Sequence, residues 1–132
     1  MIGLDTDILV RYFTQDDPVQ SYKATLLIEQ RLTEQSPGFV SIVALAETVW
    51  VLERFYRLKK QEIAIVIERI LGADALLVEH EAEVATALTA VWEGRGSFAD
   101  ALIAALSAKA GCSRILTFDR KALRLPRFEQ LL

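Results

Sequence analysis

Ile2-Gly3-Leu4-Asp5-Thr6-Asp7-Ile8-Leu9-Val10 opens the chain with a short apolar run, an abrupt acidic triplet and a return to apolar residues. Ile2–Leu4 reads as a buried strand ending at Asp5, and Asp7–Phe13 as a helix that begins just after it. The same order recurs along the chain. Phe39-Val40-Ser41 precedes a helix predicted over Ile42–Arg57 and a further one over Gln61–Leu71. Ala75–Val78 precedes a helix over Glu81–Glu93, and Arg114–Phe118 is a fourth strand that runs into Asp119. Between the first two strands, Asp17 is set to cap a helix whose first residue is Pro18, about sixteen residues long and reaching to near Gln35. Gly94 and Gly96 separate the helix ending at Glu93 from one over Phe98–Ala110, which Gly111 closes. Pro37-Gly38 is the strongest turn dipeptide, and the last dozen residues look irregular.

Short apolar strands alternating with helices imply parallel pairing, because parallel neighbours need a crossover between them. Their continuous apolar character is that of strands covered on both faces. The expected fold is therefore α/β, a three-layer α/β/α sandwich with a short, mainly parallel sheet, formed as a single domain over residues 1–132. In such sheets ligands sit beyond the carboxyl ends of the strands. Asp5 and Asp119 are expected to emerge there, at one shared sheet edge.

Composition narrows the function. A chain of 132 residues, 52% hydrophobic and 25% charged, is one globular domain rather than a disordered or low-complexity segment. Its single cysteine, Cys112, excludes a disulfide framework and a Cys-rich zinc site, and its single histidine, His80, excludes a His-ligated metal cluster. Cys112 is expected to be a small buried residue beside Gly111, and His80 a loop or helix-start residue. No apolar run reaches the ~18 residues of a membrane span. The N-terminus lacks the basic region of a signal peptide, so a reducing, cytoplasmic setting with no membrane partner is expected.

The net charge of −3 is not that of a nucleic-acid-binding domain taken whole. Its distribution is uneven: Lys109, Arg114, Arg120, Lys121, Arg124 and Arg127 face only Asp119 and Glu129 in the last stretch, while the preceding body is acidic. A phosphodiester could be received at that border, the plain alternative being solvated surface.

Four carboxylates stand out. Asp5 and Asp119 follow strands, where an acid is also an ordinary turn former or helix N-cap. Asp7 lies close enough to Asp5 to repel it unless a cation or shared proton intervenes, or it caps its helix from solvent. Glu47 has Val43, Ala44, Trp50 and Val51 as its helical neighbours, which places it in a stripe expected to face the core, where an unpaired carboxylate is costly. The alternative is an edge position reaching solvent or an arginine. Glu53, with Arg57 four residues on, reads as a surface pair. Ser97-Phe98-Ala99-Asp100 matches a capping box opening an Ala-rich helix, and Thr117 reads as a strand residue, the alternative being that it helps orient the site. Clustered carboxylates without His or Cys form the hard-oxygen ligand set of Mg²⁺ or Mn²⁺, which suits water activation and in-line attack at phosphorus. The residues thus point to a metal-dependent phosphodiesterase or phosphohydrolase.

Four segments resemble, in order and spacing, PIN-domain nucleases, and among them the VapC toxins of bacterial type II toxin–antitoxin pairs. They are Asp5-Thr6-Asp7-Ile8-Leu9-Val10-Arg11, Ser41-Ile42-Val43-Ala44-Leu45-Ala46-Glu47, Phe98-Ala99-Asp100-Ala101-Leu102-Ile103-Ala104 and Thr117-Phe118-Asp119. The resemblance implies a Mg²⁺-dependent ribonuclease, Mn²⁺ being an alternative metal. It makes Asp5, Glu47, Asp100 and Asp119 the catalytic acids, with Asp5 and Asp100 as metal ligands and Thr6 and Thr117 orienting them. It further implies an RNA substrate, a homodimer and inhibition by a VapB-like antitoxin seated in an apolar groove of the helices between residues 18 and 71. The sequence departs from that pattern at Asp7, where relatives often carry Asn, and at Ser97, where some carry another acid. Rival readings are a haloacid-dehalogenase-type phosphatase with Asp5 as nucleophile, a phospho-acceptor receiver domain, and a PIN domain kept as a binding scaffold. A phosphatase leaves Glu47 without a role, and a receiver needs a Lys where Asp119 stands.

Overall fold

The computed structural model describes Met1–Leu132 and divides into two compact units, Met1–Glu79 and His80–Leu132. In the first unit the order is β1 (Ile2–Gly3), α1 (Thr6–Thr14), α2 (Pro18–Leu26) continuing into a π-helical turn (Leu27–Arg31), β2 (Gly38–Val40), α3 (Ile42–Arg54), α4 (Lys60–Gly72) and β3 (Leu76–Val78). The three strands form a parallel sheet in the order β1-β2-β3, with Ile2 opposite Gly38 and Val40 opposite Val78. Two helices span each crossover, the connection that parallel pairing demands. Leu9, Val40, Leu45, Leu52, Ile67 and Ile70 are wholly enclosed and make the core of this unit.

The chain's punctuation follows local chemistry. Asp17 caps α2 by accepting from the Val19 and Gln20 N–H groups, and Pro18 takes the first helical position, as expected. The helix predicted to Arg57 stops at Arg54 instead. Arg57 turns left-handed at φ 55°, and the Leu58 N–H closes on the Leu52 carbonyl at 3.1 Å, a helix stop made without glycine. Beyond that stop Glu53 and Arg57 are no longer one helical turn apart, and they form no ion pair. Pro37-Gly38 is not a free turn, because Gly38 already belongs to β2. A Cβ there would sit 2.8 Å from Leu32 Cδ1 and 2.9 Å from Leu4 Cδ1, so a larger residue would have to push both buried leucine side chains aside.

The second unit pairs α5 (Glu81–Trp92) with α6 (Phe98–Lys109), followed by β4 (Ile115–Thr117), a 3₁₀ turn (Arg120–Arg124) and β5 (Phe128–Gln130). Alanines at 87, 90, 101 and 104 are buried and let the two helices approach closely. β4 and β5 pair in parallel, Ile115 opposite Phe128, with the 3₁₀ turn as their crossover. β5 lies where no regular element was expected. Phe128-Glu129-Gln130 has neither an apolar run nor alternation, and its pairing with β4 is decided by tertiary context. The strands therefore make two sheets rather than one: Asp5 follows β1 of the three-stranded sheet and Asp119 follows β4 of the two-stranded one. His80 starts α5, as expected, whereas Cys112 is exposed, since it follows the left-handed Gly111 on a turn and not in the core.

Candidate active site

The end of β1 shapes the first group of site residues. The Leu4 N–H still donates to Phe39 O at 2.9 Å, after which Asp5, extended at φ −80° and ψ 162°, becomes the N-cap of α1. Its Oδ1 accepts from the Thr6 N–H at 2.7 Å. Thr6 is buried, so its hydroxyl requires a partner, and it donates to Glu47 Oε1. The capping alternative for Asp5 is thus realised, and it leaves Oδ2 open, as the threonine bond leaves Oε2 of Glu47. Asp7, exposed in the first turn of α1, adds negative charge where the helix dipole favours it.

Glu47 is not in the core-facing stripe. The buried face of α3 is Ala44, Leu45, Thr48, Val49 and Leu52, while Glu47 shares the outer face with Val43, 74% exposed, and Trp50, 55% exposed. Two apolar neighbours mislead the reading here. Thr48, whose hydroxyl donates back to the Ala44 carbonyl at 2.7 Å, takes the inward place instead.

In the second unit Ser97 caps α6, its Oγ accepting from the Asp100 N–H at 3.1 Å. The reciprocal half of a capping box is not made, and the half-buried Asp100 carboxylate accepts no hydrogen bond from the protein. Asp119 caps the 3₁₀ turn through Oδ1, which accepts from the Lys121 N–H at 2.9 Å, and Thr117 Oγ1 accepts from the Asp119 N–H at 3.0 Å. The expected residues thus fall into three local groups: Asp5 with Thr6 and Glu47, Ser97 with Asp100, and Thr117 with Asp119. No group of three or more Asp, Glu, His or Cys side chains is gathered closely enough to hold a metal ion. The donor chemistry nevertheless suits a hard cation: every group offers carboxylate oxygen, and Asp5, Glu47 and Asp100 keep oxygens free of protein donors. Mg²⁺ needs only one or two such carboxylates, water completing its shell.

Of the basic C-terminal strip, Lys109 is engaged with Glu83 at 3.2 Å and His80 at 2.9 Å, Arg114 with Glu129 at 3.4 Å, and Arg127 with the Cys112 carbonyl at 2.8 Å. Arg120, Lys121 and Arg124 stand exposed and unpaired on the 3₁₀ turn.

Two features of the first unit escaped the sequence reading. One is a polar knot: Tyr56 Oη donates to Asp16 Oδ2 at 2.6 Å, Thr14 Oγ1 to Asp16 Oδ1 at 2.8 Å, and Arg11 to Asp16, Gln20 and Tyr56. Tyr56 is forty residues from Asp16, so no local signal announces it. The Tyr56 hydrogen bond, then that from Thr14, hold the Asp16 carboxyl below the usual aspartate range, with the Arg11 charge adding to them. A depressed folded value means that the contribution to stability is present above the unfolded value and is lost as the pH falls through the folded one. Tyr56→Phe is expected to raise the Asp16 titration toward the ordinary range, as followed by carboxyl-carbon NMR; an unmoved titration would remove Tyr56 as the cause. The other feature is a cleft of about 370 Å³ between α1 and α2, walled by Asp7 and Arg11 on one side and by Gln20, Lys23 and Arg31 on the other. The spacing 20, 23, 27, 31 on α2 and its π turn was a readable signal for it.

The class is settled by comparison with known proteins. The PIN domain family model matches residues 2–128, and the chain belongs to the PIN domain family. Its short parallel strands and six helices are those of the family's α/β/α fold. The chain is similar to the VapC ribonuclease of Aquifex aeolicus (strain VF5), 27% identical over 127 residues that cover 92% of this chain and 90% of that protein. No helix is long and apolar enough to cross a membrane.

Proposed function

We propose that this chain is a single-domain, Mg²⁺- or Mn²⁺-dependent ribonuclease that acts in the cytoplasm as the toxin of a type II toxin–antitoxin pair. The observation that carries the reading is the buried Thr6 hydroxyl holding Glu47 while Asp5 caps the same helix, beyond the carboxyl end of the first strand of a PIN domain. The family motif and the likeness to a VapC ribonuclease support extending it to a quartet of Asp5, Glu47, Asp100 and Asp119, with Asp5 and Asp100 as the residues that would hold the metal. A bound Mg²⁺ would lower the pKa of a water and offset charge developing at phosphorus. The chain's own residues orient the acids. Thr6 fixes Glu47 with Oε2 open to accept a proton, the cap on Asp5 leaves Oδ2 outward, Ser97 sets Asp100 in the first turn of α6, and Thr117 holds the backbone of Asp119.

The proposed partners are an RNA substrate, a second copy of the chain and a VapB-like antitoxin. Support for a protein partner lies in the exposed Val43, Trp50 and Phe55, the two rings packed edge to face at 5.6 Å, apolar groups at and just beyond the helix that carries Glu47.

The test is cleavage of a mixed structured RNA by the purified protein with Mg²⁺, with Mn²⁺ and with EDTA, beside Asp5→Asn. Asparagine caps a helix about as well as aspartate, so the variant keeps its fold while losing the charge. Cutting that needs the metal and disappears in the variant is the expected result. Equal inertness with either metal on several RNAs would favour a binding scaffold.

A further inference from the structure

The cleft between α1 and α2 joins two surfaces of opposite character. Asp7, one residue from Thr6, forms its acidic end. The α2 wall carries Gln20, which meets Arg11, then Lys23 and Arg31, the last on the π-helical turn, a distortion that recurs at functional sites. Leu27 lies on the same stripe. Arg11 is already engaged with Asp16, but neither Lys23 nor Arg31 lies within ion-pair distance of a carboxylate, in a unit where acids outnumber bases. Two unpaired cations on one face of a cleft, in an acidic chain, make a local surface of positive potential that suits an anionic ligand. Eight residues apart, they stand about 12 Å from each other along the helix, enough to serve two separate charges rather than one.

We propose that this cleft binds the phosphodiester backbone of single-stranded RNA, Lys23 and Arg31 each meeting a phosphate and Gln20 offering its amide, so that the strand is led toward Asp7 and the adjoining acids. The identity of the polyanion rests on the nuclease reading; the cleft and its free cations do not. Lys23 and Arg31 are positioning residues that act on binding, not on the bond that breaks.

The test is the salt dependence of binding. A fluorescein-labelled oligouridylate of about twelve nucleotides is titrated with the protein in EDTA, so that cleavage plays no part, between about 50 and 300 mM salt. Each lost phosphate contact lowers the slope of log K against log salt by about 0.7, so Lys23→Ala/Arg31→Ala is expected to lower it by about 1.4 and to weaken binding roughly tenfold at 0.15 M. The matched double variant Lys60→Ala/Arg69→Ala, outside the cleft, is expected to keep the wild-type slope, and thermal melting checks that both variants fold. An unchanged slope, an equal loss in the matched variant, or no binding by wild type would overturn the proposal. So would polyglutamate competing as well as oligouridylate at equal charge, which would make the cleft a site for acidic peptides. Binding that depends on Lys23 and Arg31 without metal-dependent cutting would sink the nuclease reading alone, and cutting with an unaltered slope would sink the cleft alone.

Discussion

Asp100→Asn is expected to lower RNA cleavage at least about a hundredfold while leaving the protein folded, since on the proposed function Asp100 would hold the metal and its loss would forfeit several kcal/mol of stabilisation at the reacting phosphorus. The prediction is sharp because of the cap geometry. α6 is held at its start by Ser97 Oγ and the Asp100 N–H, a bond that Asn keeps, whereas the Asp100 carboxylate accepts nothing from the protein. The only stability cost is that of a charge removed from a helix N-terminus, below about 1 kcal/mol. Ser97→Ala should do the reverse, costing about 1 kcal/mol through the lost cap and far less in rate. Cleavage kinetics and thermal melts on the two variants separate these cases. Full activity in Asp100→Asn would remove this residue from the site.

Leu9→Ala is expected to cost roughly 2–5 kcal/mol, the range for emptying a wholly enclosed leucine site. Leu9 is 0% exposed on α1, the helix that begins with Asp5, Thr6 and Asp7. Against a typical total of about 5–15 kcal/mol, that loss should lower the melting temperature by roughly 10 °C or more. Leu9 takes part in none of the hydrogen bonds that orient the acids, so kcat measured well below the new melting point should stay near wild type. A melting temperature within about 2 °C of wild type would mean that the core around α1 collapses into the space.

Much of the architecture was legible because it depends on local chemistry. Strand–acid–helix order, the Asp17–Pro18 helix start and the separation of α5 from α6 are written in neighbouring residues, and each has a mechanism within one or two turns. The local settings of the proposed acids were partly legible: Asp5 and Asp119 follow strands as caps, and Asp100 opens α6 behind Ser97. Orientation was less so. Val43 and Trp50 are apolar yet exposed, and Glu47 was drawn inward by reading them as core.

What the amino-acid order alone determined is the list of parts: an α/β chain of short parallel strands, acids placed after strands and at helix starts, and too little Cys and His for a Cys-rich zinc site or a His-ligated cluster. Tertiary structure decided how those parts are used. It put Thr6 Oγ1 on Glu47 across forty-one residues, tied Asp16 to Tyr56, paired β4 with a strand that has no strand-like sequence, and divided the strands between two sheets. The physical reason is common to all of these. Caps and helix starts are satisfied by neighbours in sequence, whereas a buried hydroxyl or an unpaired strand edge takes whichever partner the packed chain brings within hydrogen-bond distance.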